Sequence, residues 1–402
     1  VDLEIKFSMG KLNNQGKSTI DLIQSDIYDN INDYLKEILN IKLKIERKSI
    51  HEYIFYFISE ENNERIEIDE VSAGEKEIIH LIFAIFGYDL KNGIMIIDEP
   101  ELHLHPKLQE KFLKIMLKSN TKLNIQFIIA THSPIFVNED TVDGLLRYYR
   151  PDNGFTNVIK PNSIPIDMKN QIRMLYYTNS SKIFFNSKVI LVEGYPDRIF
   201  FNSYYNSYKK RMKIDNEDIE FLDMGTKSDF VEWKSLLEEF NINMMYLADC
   251  DNVKEAGISP NHSKWSTFFP DKMLYDELTS FKASNNTEYL DLQNEISGLY
   301  SQGIFLLKEG SLENYVLLMK GRNPSIDPKP STGDVVNFSI NLLENWVVSN
   351  TNNRLVLELD NIFKTIRIVK GDVDSVQGEA DIVVEGEYFT GASEQLYIEN
   401  NG

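Results

Sequence analysis

Residues 94–100 read IMIIDEP, a short apolar run that ends in two carboxylates and a proline. A run of this length is typical of a buried strand, and similar runs alternate along the chain with segments of helical periodicity. This alternation predicts an α/β fold with a largely parallel sheet. At the end of the strand, Asp98 is suited to hold magnesium through water, and Glu99 to orient the water that attacks a γ-phosphate.

Three other segments accompany this strand in the sequence. Residues 71–76, VSAGEK, open a predicted helix, where the first N–H groups and the Ser72 hydroxyl suit phosphate oxygens. Residues 101–106, ELHLHP, follow the strand directly. Residues 128–134, IIATHSP, form a second apolar strand, which ends near His132, a side chain suited to sensing a γ-phosphate. In this order the four segments predict a site for nucleotide hydrolysis.

The four segments resemble those of the ABC-type ATPases, in the repair and structural-maintenance branch of that family. The resemblance implies a signature motif at Ser72–Lys76, a D-loop (rather than a zinc site) at Leu102–His105 and a switch histidine at His132. In this family the signature motif contacts nucleotide on another subunit, so a homo-oligomer formed through the ATPase domains is expected. The residues implied to bind ATP and its Mg²⁺ are Ser72, Gly74, Glu75, Asp98 and His132, with Glu99 as the catalytic residue of hydrolysis.

The P-loop that would complete this site is ambiguous in the sequence. Residues 16–19, GKST, look like the end of a P-loop, but the pattern G-x-x-x-x-G-K-[ST] requires glycine at position 11, which is Lys11. The preceding run Leu3–Phe7 is too polar for the buried strand that leads into such a loop. We therefore expect a chance match, with the true P-loop upstream of Val1, while the assignment to Gly16–Ser18 stays open.

A second pair of predicted strand ends carries another set of carboxylates. One apolar strand ends in Glu193, with Asp197 at the start of the following helix, and another ends in the Asp-x-Asp pair Asp249 and Asp251. The carboxyl ends of neighbouring parallel strands meet in one crevice, and residues i and i+2 of an extended strand end face the same side. We therefore expect these carboxylates to hold one or two divalent cations, Mg²⁺ or Mn²⁺, which bring a water and a phosphodiester together.

This pattern resembles the TOPRIM domain of topoisomerases, primases and some nucleases. Downstream, in the segment LLKEGSLENY at 306–315, Lys308 is suited to neutralise a transition-state phosphate and Glu313 to add a metal ligand, although a surface turn with a helix cap is an alternative. Lys329, in a proline-rich turn, is a second candidate for the cationic role. The catalytic set is thus Glu193, Asp249, Asp251 and Lys308, and the metal ligands are Glu193, Asp197, Asp249, Asp251 and Glu313.

An ABC-type ATPase followed by TOPRIM resembles the OLD (overcoming lysogenization defect) family, which includes the nuclease subunit of the Gabija antiphage system. The resemblance implies an ATP-regulated, metal-dependent endonuclease or nickase that acts on double-stranded DNA in antiphage defence, with a second defence protein as a partner. Two alternatives stay open. One is a DNA-repair ATPase of the RecF or structural-maintenance kind without nuclease activity, and the other is a non-catalytic scaffold or sensor for a partner effector.

Composition limits the setting of these activities. The chain has 42 Lys and Arg against 62 Asp and Glu, a net charge of −20, which argues against a generic basic coat protein for nucleic acid. The single cysteine excludes an intramolecular disulfide framework and a Cys-rich zinc site, which favours the cytoplasm. No apolar run approaches the roughly 18 residues of a membrane span.

The motif order also predicts the domain boundaries. We expect the C-terminal portion of an ATPase domain at 1–175, a TOPRIM domain at 176–320 with a polar insertion at about 252–300, and an acidic C-terminal region at 321–402. From Arg354 onward the chain alternates like β-structure.

Overall fold

The computed structural model describes residues 26–48, 53–87, 90–149, 155–161, 166–186, 188–214, 219–226, 229–249, 294, 298–368 and 381–385. The P-loop-like segment at 16–19, Asp251 and most of the predicted polar insertion lie outside these ranges. The chain divides into two compact units, Val1–Leu146 together with Asp381–Gly402, and Arg147–Ala380. The boundary predicted from the sequence at 175/176 stays a prediction.

The first unit begins with a helix and a small antiparallel sheet. Its elements are α1 (Asp26–Leu39), β1 (Ile41–Arg47), β2 (Tyr53–Ser59), β3 (Arg65–Ile66), α2 (Ala73–Gly87), β4 (Ile94–Asp98), α3 (Pro106–Leu123), β5 (Gln126–Thr131) and the first two residues of β6 (Leu145–Tyr149), with short 3-10 turns at Ile68–Glu70, Pro134–Phe136 and Val142–Gly144. Strand β4 pairs in parallel with β5, with Asp98 opposite Ala130. A late strand, β12 (Asp381–Glu385), pairs antiparallel with β5, so the chain returns to this sheet after the second unit.

Strand β4 is buried on one face only, in contrast to the interior strand that the sequence predicted. Met95 and Ile97 pack against the core that α2 and α3 help to form. On the other face Ile94 and Ile96 are 61% and 75% exposed, and Asp98 is exposed with them. Side chains of a strand alternate between its faces, so an apolar run does not by itself show that both faces are covered. The exposed face is the one that carries Asp98.

The second unit is a four-stranded sheet with helices, in the part of the chain that the structure describes. Its elements are β7 (Asn157–Ile159), α4 (Ile166–Tyr177), β8 (Lys188–Val192), α5 (Tyr195–Met212), β9 (Ile219–Asp223), α6 (Phe230–Glu239), β10 (Asn243–Ala248), β11 (Ile304–Leu306), α7 (Leu312–Met319), α8 (Thr332–Asn341), α9 (Leu343–Ser349) and α10 (Arg354–Ile368), with short 3-10 turns at Ser181–Phe184 and Tyr300–Gln302. Strand β7 pairs antiparallel with Arg147–Tyr149, the part of β6 that belongs to this unit.

The sheet of the second unit explains where its carboxylates lie. The strand order is β11-β10-β8-β9, and every neighbouring pair is parallel. The central strand β8 is fully buried from Val189 to Val192, as expected when helices cover both faces. Parallel strands bring their carboxyl ends to one edge, and Glu193 and Asp249 follow β8 and β10 directly at that edge. The predicted α/β fold is therefore confirmed.

The prediction of β-structure from Arg354 onward is wrong for the first part of that region. Residues 354–368 form the helix α10. Its buried side chains are Leu355, Val356, Leu359, Ile362, Phe363 and Ile366, which recur at the spacing of one helix face. Val and Ile are common in strands, and this composition masked the helical period.

Among the residues that the structure describes, there is no helix whose length and apolar character would let it span a membrane.

Candidate metal centre and nucleotide-binding segments

The predicted signature segment forms the start of α2. Ser72 and Glu75 cap this helix reciprocally, because Glu75 N–H donates to Ser72 Oγ (3.3 Å) and Ser72 N–H donates to Glu75 Oε2 (3.1 Å). The Ser72 hydroxyl also donates to Glu75 Oε2 at 2.7 Å. The side chains of Ser72 and Glu75 thus fix the helix start, and Ser72 itself is exposed. Contact of this helix start with a nucleotide stays a prediction.

Gly74 lets the start of α2 approach the segment that follows β4. A Cβ atom at position 74 would lie 2.8 Å from the backbone oxygen of His103 and 3.0 Å from Leu108 Cδ1. His103 has a φ of 65°, a left-handed conformation that leaves its carbonyl little freedom to move away. The sequence predicted a nucleotide role for Gly74, and the structure adds a packing reason for a residue without a side chain there.

Replacing Gly74 with Ala is expected to destabilise the first unit by about 1–3 kcal/mol, because the added methyl group overpacks a backbone contact. The measurement is the midpoint of thermal unfolding. Gly87→Ala, at the other end of the same helix, is the matched control, since a Cβ there meets only Phe83 Cδ1 at 3.9 Å. Equal midpoints for the two variants would contradict the packing role of Gly74.

Glu101 joins the ends of β4 and β5. Its two carboxylate oxygens accept hydrogen bonds from Thr131 Oγ1 and from the N–H of His132, each at 2.6 Å. The N–H of Glu99 donates to Ala130 O at 2.8 Å, which continues the pairing of the two strands. Asp98, at the end of β4, and His132, directly after β5, therefore lie at adjacent strand ends that are hydrogen-bonded to each other. The roles of these residues in nucleotide hydrolysis stay predictions.

His105 has a structural function in this segment. It lies immediately before α3, and its Nδ1 accepts a hydrogen bond from the N–H of Lys107 at 3.3 Å, with Pro106 at the first helical position. The assignment of residues 102–105 as a D-loop stays a prediction.

In the second unit, the carboxylates Glu193 and Asp197 lie at the junction of β8 and α5. Glu193 directly follows the strand, Gly194 is the N-cap of α5, and Asp197 lies in the first turn of that helix. Burial, and then the negative charges of Glu193 and Glu313, raise the pKa of Asp197 to about 7, against hydrogen bonds from the backbone of Asp197 and Gly194. The charges of Glu193 and Glu313 thus disfavour the ionised form of Asp197.

Asp249 connects β10 to the start of α7. Its Oδ1 accepts a hydrogen bond from the N–H of Leu312 at 2.9 Å. That N–H belongs to the first residue of α7, and Glu313 is the next residue of this helix. Asp249 therefore holds the helix start that presents Glu313.

Lys329 reaches the same carboxylates from the loop after α7. Its Nζ lies 3.0 Å from Glu313 Oε1. Burial lowers the pKa of Lys329, but the hydrogen bond to Glu313 and the charges of Glu313, Asp249 and Glu193 raise it more, so the pKa is above its usual value. Lys308, the other candidate, has its Nζ 5.9 Å from the Tyr300 ring centre.

One basic residue at this edge was missed in the sequence. Arg198, next to Asp197, donates from NH1 to Asp223 Oδ2 at 3.2 Å and pairs through NH2 with Glu220 at 3.4 Å. Asp223, at the end of β9, is thus already neutralised by a guanidinium group. The only signal in the sequence was a basic residue directly after the strand–turn–Asp pattern.

The donor chemistry of this edge fits a hard divalent cation. Glu193, Asp197, Asp249 and Glu313 offer oxygen ligands only, and a bound cation would relieve the repulsion around Asp197. Within the described ranges, no three His, Cys, Asp or Glu side chains are close enough to form a ready metal-binding group. Asp251, the remaining predicted ligand, lies outside the described residues.

Comparison with known families agrees with the order of the two predicted domains. Residues 7–138 match a family model described as an AAA domain, putative AbiEii toxin, Type IV TA system. Residues 184–251 match one described as an overcoming lysogenization defect protein-like TOPRIM domain. An AAA-type ATPase domain therefore precedes an OLD-like TOPRIM domain. The first match contains residues 16–19, and the second contains Glu193, Asp197, Asp249 and Asp251.

Individual relatives share parts of the chain. The OLD nuclease of Thermus scotoductus is 30% identical over 168 residues, which cover 40% of this chain and 31% of that protein. The endonuclease GajA of Bacillus cereus is 23% identical over 261 residues, 57% of this chain and 36% of that protein. The retron Vc95 probable ATPase of Vibrio cholerae is 30% identical over 190 residues, 40% of this chain and 36% of that protein. The chain thus spans about a third of the length of these relatives.

Proposed function

We propose that this chain, an ATPase–TOPRIM protein of the OLD family, cuts double-stranded DNA with divalent metal ions under the control of ATP and takes part in defence against phage. The observation that carries the nuclease proposal is that Glu193 and Asp249 follow neighbouring parallel strands at one edge of the sheet, where Leu312 N–H donates to Asp249 and Glu313 pairs with Lys329. Carboxylate ligands beside one lysine are suited to bind a metal ion together with a phosphodiester. Carboxylates that served only as helix caps would not need to share one edge of the sheet with a lysine.

Each residue of the edge has a proposed task. Glu193, Asp197 and Asp249, with Asp251 and Glu313, would hold Mg²⁺ or Mn²⁺. The metal would supply an activated water and a counter-charge for the leaving oxygen. Asp249 also keeps α7 in place through the N–H of Leu312. Lys329, whose Nζ lies 3.0 Å from Glu313 Oε1, would bind a non-bridging phosphate oxygen of the DNA.

Cleavage of supercoiled plasmid by the full-length protein tests this proposal. We expect nicked or linear product with Mg²⁺ or Mn²⁺ and none with EDTA, and the product distinguishes nicking from double-strand cutting. Uncut plasmid at every metal and ATP concentration would overturn the nuclease proposal. In that case a DNA-repair ATPase or a non-catalytic sensor would be favoured. The similarity to a retron probable ATPase is compatible with either alternative.

Lys329→Met is expected to reduce cleavage by about 100-fold or more, since it removes the charge proposed to stabilise the transition-state phosphate. Lys308→Met is the matched comparison, because both changes remove one lysine charge from the same unit. We expect the Lys308 variant to keep more activity. The measurement is the single-turnover cleavage rate at saturating Mn²⁺, and a larger loss in Lys308→Met would reverse the assignment.

The nucleotide-binding part of the proposal rests on the first unit. Ser72, Gly74, Glu75, Asp98, Glu99 and His132 are the residues that we assign to ATP, its Mg²⁺ and hydrolysis. The family match includes residues 16–19, and the assignment of the P-loop to Gly16–Ser18 stays open. The start of α2 would contact nucleotide on a second copy of the chain, so ATP binding would couple to homo-oligomerisation. A second defence protein and a cytoplasmic location belong to the same proposal.

A further inference from the structure

The turn between β11 and α7, residues 307–311, lies between the proposed metal centre and α10. It carries Lys308 and Glu309 and leads directly into Leu312 and Glu313. On the side of the metal centre, Leu312 N–H donates to Asp249, so the geometry of this turn controls where a proposed ligand lies. We call residues 307–311 the β11–α7 turn.

On its other side, the β11–α7 turn is held by a carboxylate of α10. Glu358 Oε1 accepts a hydrogen bond from the N–H of Lys308 at 3.0 Å and another from the Tyr315 hydroxyl at 2.6 Å. Tyr315 is fully buried in α7. One carboxylate oxygen therefore joins the start of the turn to the helix that follows it.

A second contact from α10 fixes the middle of the same turn. Glu309 is only 3% exposed, and its carboxylate forms an ion pair with Arg354 of α10. The backbone oxygen of Glu309 accepts a hydrogen bond from Asn314 Nδ2 at 2.8 Å. Burial of a glutamate is unfavourable unless it is paired, so this ion pair ties the turn to α10.

We propose that Glu358 is a positioning residue for the metal centre, which acts through the β11–α7 turn on Asp249 and Glu313, with Arg354 in support. This role rests on the proposed nuclease function. The turn is only five residues long. Near its start, the N–H of Lys308 is bound to Glu358, and directly after its end, the N–H of Leu312 is bound to Asp249. A shift at the Glu358 end would therefore displace the Leu312 N–H and the Glu313 carboxylate relative to Asp249.

The test is the Mn²⁺ dependence of the full-length protein, measured both by calorimetric binding of Mn²⁺ alone and by plasmid cleavage. We expect Glu358→Ala to raise the Mn²⁺ midpoint about 10-fold or more, as for other residues that orient metal ligands. Glu358→Gln should restore most of the affinity, because its amide oxygen can accept both hydrogen bonds. If Glu358→Ala does not fold, Tyr315→Phe removes one of the two bonds and should shift the midpoint in the same direction.

Asp360→Ala is a closely matched control on the same helix. Asp360 also accepts a hydrogen bond from a tyrosine, Tyr204, at 2.7 Å, but its ion pair is with Arg211 of α5. We expect both alanine variants to melt at lower temperature and only Glu358→Ala to shift the Mn²⁺ midpoint. Equal shifts, or no shift in Glu358→Ala while the wild type binds Mn²⁺ and cuts DNA, would overturn the positioning role alone. A wild type that neither binds Mn²⁺ nor cuts would overturn the nuclease proposal as well.

Discussion

Asp249→Asn is expected to lower metal-dependent DNA cleavage by at least about 100-fold. Loss of residues that merely orient metal ligands costs 10- to 100-fold in affinity or activity, so loss of a ligand charge should cost no less. The substitution is nearly isosteric, and the Asn oxygen can still accept the hydrogen bond from Leu312 N–H. It therefore separates the charge of Asp249 from its structural contact. The measurement is the cleavage rate of supercoiled plasmid across a Mn²⁺ titration.

The control for Asp249→Asn should remove a carboxylate charge without touching the proposed centre. Glu344→Gln meets this condition, because Glu344 forms an exposed ion pair with Lys210 at 2.7 Å. Exposed pairs of this kind contribute at most about 1 kcal/mol, so we expect wild-type cleavage and stability. Wild-type cleavage by Asp249→Asn would remove Asp249 from the ligand set and contradict the assignment of this edge.

The candidate ligands at strand ends were predictable, whereas the sequence left the lysine open between Lys308 and Lys329. Glu193 and Asp249 follow apolar runs whose strand character is strong, and a parallel sheet necessarily gathers such ends. Lys329 lies in an irregular loop whose path depends on tertiary packing, so no local periodicity indicated that its Nζ would lie 3.0 Å from Glu313. The contact of Glu358 with the turn joins residues that are 50 positions apart, which the sequence pattern also does not reveal.

The fold shows the same division between local and long-range information. The start of α2 and the end of β8 were predicted to within a few residues, because each combines a clear period with a motif. In α10 the β-branched residues suggested a strand, although the buried positions follow a helical period. For β4 the composition indicated a buried strand but not that Ile94 and Ile96 would be exposed. Coverage of a strand face depends on other elements, and the strand's own residues do not encode it.

Arg147 is a fully buried residue whose loss should strongly destabilise the second unit. Its side chain is fully buried, and its guanidinium donates to four backbone oxygens, those of Phe184 (3.0 Å), Phe240 (3.2 Å), Asn241 (2.9 Å) and Asn186 (3.4 Å). Burial lowers the pKa of Arg147 to about 10, so the group stays protonated at neutral pH. The planar fork of donors therefore satisfies carbonyl groups from the segment before β8 and from the end of α6.

Arg147→Met is expected to lower the free energy of unfolding by about 3–5 kcal/mol. Methionine fills part of the volume but donates no hydrogen bond, so several buried carbonyl oxygens lose their partner at about 1–3 kcal/mol each. The measurement is the urea midpoint of unfolding, followed by a probe within the second unit such as the fluorescence of Trp233. Arg147→Lys keeps the charge with fewer well-directed donors and should lie between wild type and Arg147→Met. Arg322→Met is the control, because it removes an exposed arginine of the same unit and should leave the urea midpoint unchanged. An equal decrease of the midpoint in both methionine variants would contradict a specific role for the buried guanidinium of Arg147.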